Sequence, residues 1–447
     1  MSPIFIAFST RDKRRKNITA WQVFFFSLFF ISQVTVVRAE PKEATLTLSI
    51  AIQRALAQNP SLRAFQFRDA ALRGKNQTAN LTPGYELEIE TENFGGSGEL
   101  SSFDAAELTV ALSSVIEMGN KRAARVNVVS GGRFFLEAQK QVESLDLMGE
   151  VTRRYVDVLA AQEQVSLAAE ALELAGNTLN IVKKRAKAGA TPAAEVKRAQ
   201  AELGQAELAL LSERQRLEYL KIALAALWGE TFPQFSKVKG KLLHFDDDIA
   251  FETLYAKVAA NPAVQIFAAE ERLKDAEVRL IKTESSANIQ WSVGVRRSQE
   301  SSDTALVAGF SMPIFSSKRN TGAVSTALAE RNQIMAEKEV TLINLHTQLF
   351  HAFYNRKQAI LVSKSLNDTI IPALQEALNE TQLAYQRGRY SYLEYVSARQ
   401  ELLNARRMLI EAASSALSYG AEIEQLTAEP LSTSINNEKN EFLGSQQ

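Results

Sequence analysis

Residues 155–206 can be laid over residues 354–405 without a gap. A shift of 199 pairs Tyr155 with Tyr354, Leu167 with Leu366, Leu179 with Leu378 and Gly189 with Gly388. The same register carries on through Glu195/Glu394, Ala199/Ala398, Glu202/Glu401, Leu203/Leu402 and Ala206/Ala405. Upstream, Asn59-Pro60 matches Asn261-Pro262 at a shift of 202, each soon after a short apolar run, Leu46 to Leu56 and Ile249 to Val258. A period of this length is too long for a solenoid and predicts two equivalent halves about a pseudo-symmetric axis. Chance likeness between Ala/Glu-rich helices is the competing explanation, and an ungapped match through both glycines weighs against it. The division that follows is a first repeat over 40–240, a second over 241–428, and a polar tail over 429–447.

Within each half the patterning predicts a helix, two strands, a long helix, a turn and a second long helix. Val151, Val158, Val165, Leu172 and Leu179 fall at intervals of seven, as do Val196, Leu203, Leu210, Leu217 and Leu224. The second half repeats the latter stripe as Tyr395, Leu402, Leu409, Ala416 and Ile423. Sustained heptads mark supercoiled helix packing, and alanines at companion positions (161, 168, 175, 199, 206) let neighbouring helices approach closely. A helix running from about Ala123 to Lys187 would be roughly 95 Å long. Rods of that length fit a coiled-coil scaffold or a tube.

The strand segments bear on that choice. After Pro83, Tyr85, Leu87, Ile89 and Thr91 alternate with Glu86, Glu88, Glu90 and Glu92, so an apolar face and a row of four carboxylates share one strand. A Gly/Ser-rich loop follows, then Leu108, Val110, Leu112 and Ile116 on one face. The second half answers with Ile289, Trp291, Val293 and Val295, a polar loop from Ser298 to Thr304, and Leu306, Ala308, Phe310, Met312 and Ile314. Strands of about ten residues with one apolar and one polar face suit a tilted membrane-spanning strand, and also an ordinary half-buried sheet. Four strands cannot close a barrel, so the spanning reading requires several copies.

The N-terminus reads as an export leader. Lys13, Arg14, Arg15 and Lys16 precede an apolar run from Ala20 to Val37, and Val37-Arg38-Ala39 closes it with small residues at the cleavage positions. An uncleaved anchor helix is the alternative. Cleavage after Ala39 removes six Lys/Arg and one Asp, leaving 45 basic and 50 acidic residues. That balance offers nothing to nucleic acid. With no cysteine and 3 histidines, thiolate metal sites, disulfides and cysteine lipidation are excluded and histidine-based sites are poorly supplied. No P-loop, nucleophile elbow or acid/base pair stands out, so neither an enzyme nor a bound cofactor is expected.

Taken in order, these segments resemble the TolC-type outer-membrane efflux family from about Leu46 to Leu426. Glu90-Thr91-Glu92-Asn93-Phe94-Gly95-Gly96 and Ile116-Glu117-Met118-Gly119-Asn120-Lys121-Arg122 are similar to segments of its CzcC-like heavy-metal branch. The resemblance implies a mainly α chain with a small β part: duplicated coiled-coil pairs forming an α-helical barrel, and four strands contributed to a trimeric transmembrane β-barrel. It places the turns Ala188-Gly189-Ala190-Thr191-Pro192 and Arg387-Gly388-Arg389-Tyr390-Ser391 at the periplasmic tip. There Gly189, Thr191, Gly388, Arg389 and Tyr390 would meet a periplasmic adaptor, a membrane fusion protein. Glu195 and Glu394 would lie near the channel constriction, although Ser397 stands where a second acidic residue can occur. The plain alternative for both glutamates is a solvated residue in a helix's first turn. Glu86, Glu88, Glu90 and Glu92 would line the lumen and attract cations, or would simply be solvated.

The implied function is the outer-membrane duct of a tripartite efflux system, passing small substrates, divalent metal cations foremost, driven by an inner-membrane RND-type pump. The expected partners are two further copies of the chain, the adaptor, the pump and outer-membrane lipid. Drug efflux, a type I protein-secretion conduit and a soluble periplasmic coiled-coil scaffold stay open as alternatives.

Overall fold

The structure, a computed structural model, describes residues 45–245, 249–314 and 320–431. The predicted leader, residues 1–39, and residues 432–447 of the predicted tail lie outside the described residues. The first half runs β1 (Thr45–Leu46), α1 (Leu48–Gln58), α2 (Pro60–Ala79), β2 (Glu86–Glu92), β3 (Glu107–Ile116), α3 (Lys121–Lys187), α4 (Ala193–Ala225) and β4 (Lys237–Val238). The second runs α5 (Phe251–Val258), α6 (Pro262–Glu284), β5 (Ile289–Ser298), β6 (Thr304–Ser311), α7 (Thr321–Ser365), α8 (Ile371–Gln386) and α9 (Tyr392–Thr427).

The two Asn-Pro pairs show why they recur. Proline suits the first helical position, where its missing N–H costs nothing. Asn59 Oδ1 accepts from the backbone N–H of Ser61 and Leu62 and so caps α2, while its Nδ2 donates to the Leu227 carbonyl, 2.8 Å away, just past α4. Asn261 caps α6 through Ala263 and donates to the carbonyls of Gln425 and Leu426 in the last turn of α9. One side chain thus ties the start of each half to the end of its last helix, satisfying orphan groups at two helix termini.

The heptad stripes are buried or half-buried along their length. Val151, Val158 and Leu179 of α3, Leu210 and Leu224 of α4, and Tyr395, Leu402, Ala416 and Ile423 of α9 are all buried. α3 holds 67 residues, about 100 Å of helix. Its counterpart in the second half is interrupted: a single π turn, Leu366–Ile370, joins α7 to α8. Pro372, in the first turn of α8, supplies no N–H for the preceding carbonyls, which is a sufficient reason for the ladder to slip there.

β2, β3, β5 and β6 form one antiparallel sheet in that order. Its hairpins come one from each half and meet at β3–β5, where Val110 lies opposite Val295 and Leu112 opposite Val293. β6 ends at Ser311, so Met312 and Ile314, expected on the strand's apolar face, fall beyond it, next to Pro313. β2 and β6 are also shorter than the expected ten residues, at 7 and 8.

At the other end of α1 and α4, β1 and β4 pair in parallel beside α3. Tyr155 on α3 reaches both: its hydroxyl donates toward the carbonyls of Leu46 and Lys239, at 2.9 and 2.6 Å, and accepts from Lys239 N–H. Gln162, two turns along, accepts from Val238 N–H and donates to Val238 carbonyl oxygen. Leu46, Val151, Tyr155, Leu224, Trp228 and Val238 share the core under this small ribbon.

Candidate functional site

Directly opposed residues in an antiparallel sheet point the same way. The register therefore gathers Leu87 and Ile89 with Leu108, Val110 and Leu112, with Trp291, Val293 and Val295, and with Leu306, Ala308 and Phe310. Most of this face is open: Leu87 is 68% exposed, Leu306 85% and Phe310 86%. An apolar face of this extent, left bare on a soluble surface, would drive association or membrane insertion. The other face carries Glu86, Glu88, Glu90 and Glu92 beside Glu107, Thr109 and Ser113, then Ser292 and Gly294.

Arg296 lies on that polar face and ion-pairs with Glu92 and Glu107, each at 3.0 Å, while its Nε donates to Thr109 Oγ1. Glu92 is therefore compensated within the chain, and Glu107 is a fifth carboxylate of the same face. Its membership follows from the β2–β3 register, where it stands opposite Glu92. In the sequence it sits at the edge of a loop, outside the alternating run. Small residues occupy the middle of this face: a Cβ on Gly294 would fall 2.6 Å from the Ala111 Cβ, so only glycine fits there.

The two helix turns are closed by the same hydrogen bonds. Ala190 N–H donates to Arg185 carbonyl oxygen and Gly189 N–H to Ala186; Arg389 donates to Ala384 and Gly388 to Tyr385. Both glycines are left-handed, with φ of 71° and 76°, which is the glycine-ended helix termination expected here. Gly189, Gly388, Arg389 and Tyr390 are exposed and Thr191 is half-buried.

Side chains then distinguish the turns. Arg185, in the last turn of α3, donates to the carbonyls of Tyr385 and Gln386 at the end of α8 and to that of Ala190, and its guanidinium lies 4.6 Å above the Tyr385 ring. Glu195 is half-buried and accepts from the hydroxyls of Thr191 and Tyr385, the latter at 3.3 Å. Burial, with the Glu195 charge second, pushes the Tyr385 hydroxyl above its usual pKa. Glu394, its counterpart, is exposed and engaged locally: it accepts from Ser391 N–H at 2.7 Å while Ser391 Oγ accepts from Glu394 N–H. That capping box holds the Glu394 carboxyl below the usual range, mainly through the Ser391 N–H. Deeper in, buried Arg399 of α9 pairs with Glu202 of α4 and donates to Thr178 of α3 at 2.8 Å. Neither Arg185 nor Arg399 stands out in the sequence, because each becomes special only through partners about two hundred residues away.

The elements are arranged as rows. The strands run β2, β3, β5, β6. Below them α2 packs on α3, α3 on α6 and α6 on α7; toward the turns α4 packs on α3, α3 on α9, and α9 on α7 and α8. One flank is thus β2, α2 and α4, and the other β6, α7 and α8. Apolar side chains stand open on both, among them Leu208, Leu211 and Tyr219 of α4 and Met335, Ile343 and Leu361 of α7. Among the described residues, no group of three or more metal-ligating side chains is placed to hold an ion, and no helix is long and apolar enough to cross a membrane.

A two-faced sheet with open edges, set on helices of about 100 Å, defines the fold of a channel subunit. The chain belongs to the outer membrane efflux protein family, which matches residues 51–230 and 255–429. It is similar to the cobalt-zinc-cadmium resistance protein CzcC of Cupriavidus metallidurans, 27% identical over 368 residues, 82% of this chain and 86% of that one. The nickel-cobalt-cadmium resistance protein NccC of Alcaligenes xylosoxydans xylosoxydans is 24% identical over 276 residues, 61% of this chain and 62% of that one. In fold it matches a membrane protein from Pseudomonas aeruginosa (TM-score 0.70, 17% identity, 86% of this chain and 90% of that one). It also matches CusC (TM-score 0.66, 18% identity, 85% and 91%). The TolC-type family and the CzcC-like branch expected from the two quoted segments are both met. The outer membrane, with the helices reaching into the periplasm, is the chain's location.

Proposed function

We propose that three copies of this chain form the exit duct of a tripartite efflux system that carries divalent metal cations, with a periplasmic adaptor and an inner-membrane RND-type pump as partners. The observation that carries the duct is the sheet: an open apolar face, a carboxylate face, and unpaired edges at β2 and β6. Joining the β2–α2–α4 flank of one copy to the β6–α7–α8 flank of the next closes a ring, pairs the free edges and covers the apolar residues of both flanks. Three copies of four strands give a twelve-stranded barrel with lipid outside and the glutamates inside.

In this assembly the tips around Gly189 and Gly388 close the periplasmic end. Arg185 and the Glu195–Tyr385 bond hold one turn against the other, and adaptor contact at Thr191, Arg389 and Tyr390 works against them. Glu195 belongs to the latch, Glu394 to the cap of α9. No nucleotide motif stands in the chain, so the pump supplies the energy. The leader over 1–39, the repeats over 40–240 and 241–428 and the tail over 429–447 belong to the same proposal, supported by the two separate stretches that match the family.

Metal export rests on the relatives, whose names speak of cobalt, zinc, cadmium and nickel resistance, and on the carboxylate face, which favours cations. Deleting the gene from its own host and assaying growth on graded cobalt, zinc, cadmium and nickel tests it. Loss of metal tolerance that the intact gene restores is expected. Unchanged metal tolerance with lost dye or antibiotic tolerance, or with a lost secreted polypeptide, would keep the duct and remove the metal.

A further inference from the structure

α3 runs through two packed cores with a gap between them. Above, Leu147, Val151, Tyr155, Val158 and Leu159 belong to the core under the β1–β4 ribbon; below, Leu179 and Val182 join Tyr385, Tyr392 and Tyr395 in the core of the tip. Between Leu159 and Leu179 the helix buries small and polar side chains, Ala161, Gln164, Ala175 and Thr178, with Leu167. Side chains of that kind fill less of the space between helices than the leucines and valines on either side.

Two cavities flank α3 at this level. One, of about 300 Å³, lies between Ala168 and Ala175 of α3, Ala206 and Ala209 of α4, and Leu403 of α9. The other, of about 690 Å³, lies between Leu167 of α3, Leu242 just past β4, Asn367 of the π turn and Ile410 of α9. α9 thus has open space on both sides as it passes, and the π turn faces the larger cavity.

The backbone yields at the same level. The positions 199 before Leu366–Ile370 are Leu167–Ala171, which stay in regular helix. A π turn followed by proline is where a helix bends. α8, 16 residues or about 24 Å long, hangs from that turn. Arg406 of α9 bridges the level: it donates to both Glu170 oxygens on α3, each at 2.5 Å, and to Gln375 Oε1 on α8, 2.9 Å away. The repeat register places Glu207 at the equivalent point of α4, a carboxylate that cannot donate these bonds.

We infer that the second helix pair bends here: the π turn is the hinge, the two cavities give α9 room, and Arg406 is the clamp that holds α8 and α9 against α3. The inference rests on the reading of the tip as the closed end of a duct for the purpose of the motion, while the bend itself belongs to a single chain. A tilt of about 10° at the turn carries the far end of α8 by about 4 Å. That parts Tyr385 from Glu195, which stand 3.3 Å apart.

The chain has no cysteine, so introduced pairs take nitroxide spin labels on a clean background. The full-length protein is purified in detergent, with labelled chains assembled among an excess of unlabelled ones, so that each distance lies within one chain. Lys183→Cys with Leu393→Cys reports the tip, and Asp157→Cys with Glu411→Cys reports the shaft, all four positions being exposed. The Arg406 and Glu170 side chains are 27% and 44% exposed, so Arg406→Met leaves the core intact. It should lengthen the tip distance by several ångströms and leave the shaft distance unchanged. Adding Ala171→Leu, which fills the smaller cavity, should bring the tip distance back. An equal shift of both pairs would mean that the helices move as one rod, and unchanged distances that Arg406 clamps nothing; either result overturns the hinge. A tip that stays displaced with the cavity filled would overturn the part given to the cavities. A protein that never conducts would remove the duct and leave these distances, and the hinge they test, standing.

Discussion

Glu195 and Glu394 are twins in the sequence and different groups in the fold. Glu195 takes a tyrosine hydroxyl from the opposite turn; Glu394 is spent on its own helix start. Of the two glutamates only Glu195 links the turns, so Glu195→Gln and Tyr385→Phe should each raise the basal leak of the duct. Combined, they should do little more than either alone, because one bond worth about 1 kcal/mol is lost only once. Additive effects in single-channel recordings of the three variants would contradict this. A second residue-scale test uses Glu117, just beyond β3, whose carboxyl is held below the usual value of 4.5 chiefly by its bond to Arg125, at 2.5 and 2.9 Å. A depressed folded-state pKa adds stability that is complete above 4.5 and fades as the pH falls through the lowered value. Glu117→Gln should thus lower the melting temperature at neutral pH and make progressively less difference in acid. A constant difference across pH would show that the ion pair is not its source. The sequence displayed the carboxylates of both turns and of β2, with Arg296 on the second hairpin to offset part of the latter's charge, but not Tyr385 or Arg185 as partners at the turns, since those pairings exist only once distant segments are packed.

Periodicity survives into the elements with little loss. The sevens at Val196 to Leu224 and at Tyr395 to Ile423 became buried or half-buried helix seams, and the alternation at Glu86 to Glu92 became a two-faced strand. Interruptions were harder to read. Pro372 stands in plain view in the sequence, yet the ungapped register between the halves runs straight through it and hides the π turn at Leu366–Ile370. Likewise Met312 and Ile314 keep the alternation that β6 has already abandoned before Pro313. Helix termini, by contrast, announce themselves chemically. Because Asn59 and Asn261 each cap one helix and close another, Asn59→Ala and Asn261→Ala should each cost about 1–2 kcal/mol, more than an exposed cap alone, in thermal unfolding. A loss within a few tenths of a kcal/mol would mean the second bond contributes nothing. Gly189→Ala and Gly388→Ala should each strain a left-handed turn by about 1 kcal/mol and loosen the tip with the barrel intact, which protease sensitivity at the turns would register.

At the scale of the whole molecule, an unpaired sheet and two apolar flanks make a single copy an incomplete object. The proposed ring pairs those edges, and in it the carboxylates would converge on one axis. Arg296 offsets part of that charge, so Glu86, Glu88 and Glu90 should govern ion preference: the triple change to glutamine should bring the cation-to-anion permeability ratio toward one, with conductance retained. The measurement that bears most directly on the duct itself is single-channel recording of the purified, detergent-extracted full-length protein in a planar bilayer under a salt gradient. Discrete, stable conductance steps with a reversal potential on the cation side are the predicted result. A protein that stays soluble without detergent and produces no steps would contradict a membrane-spanning duct.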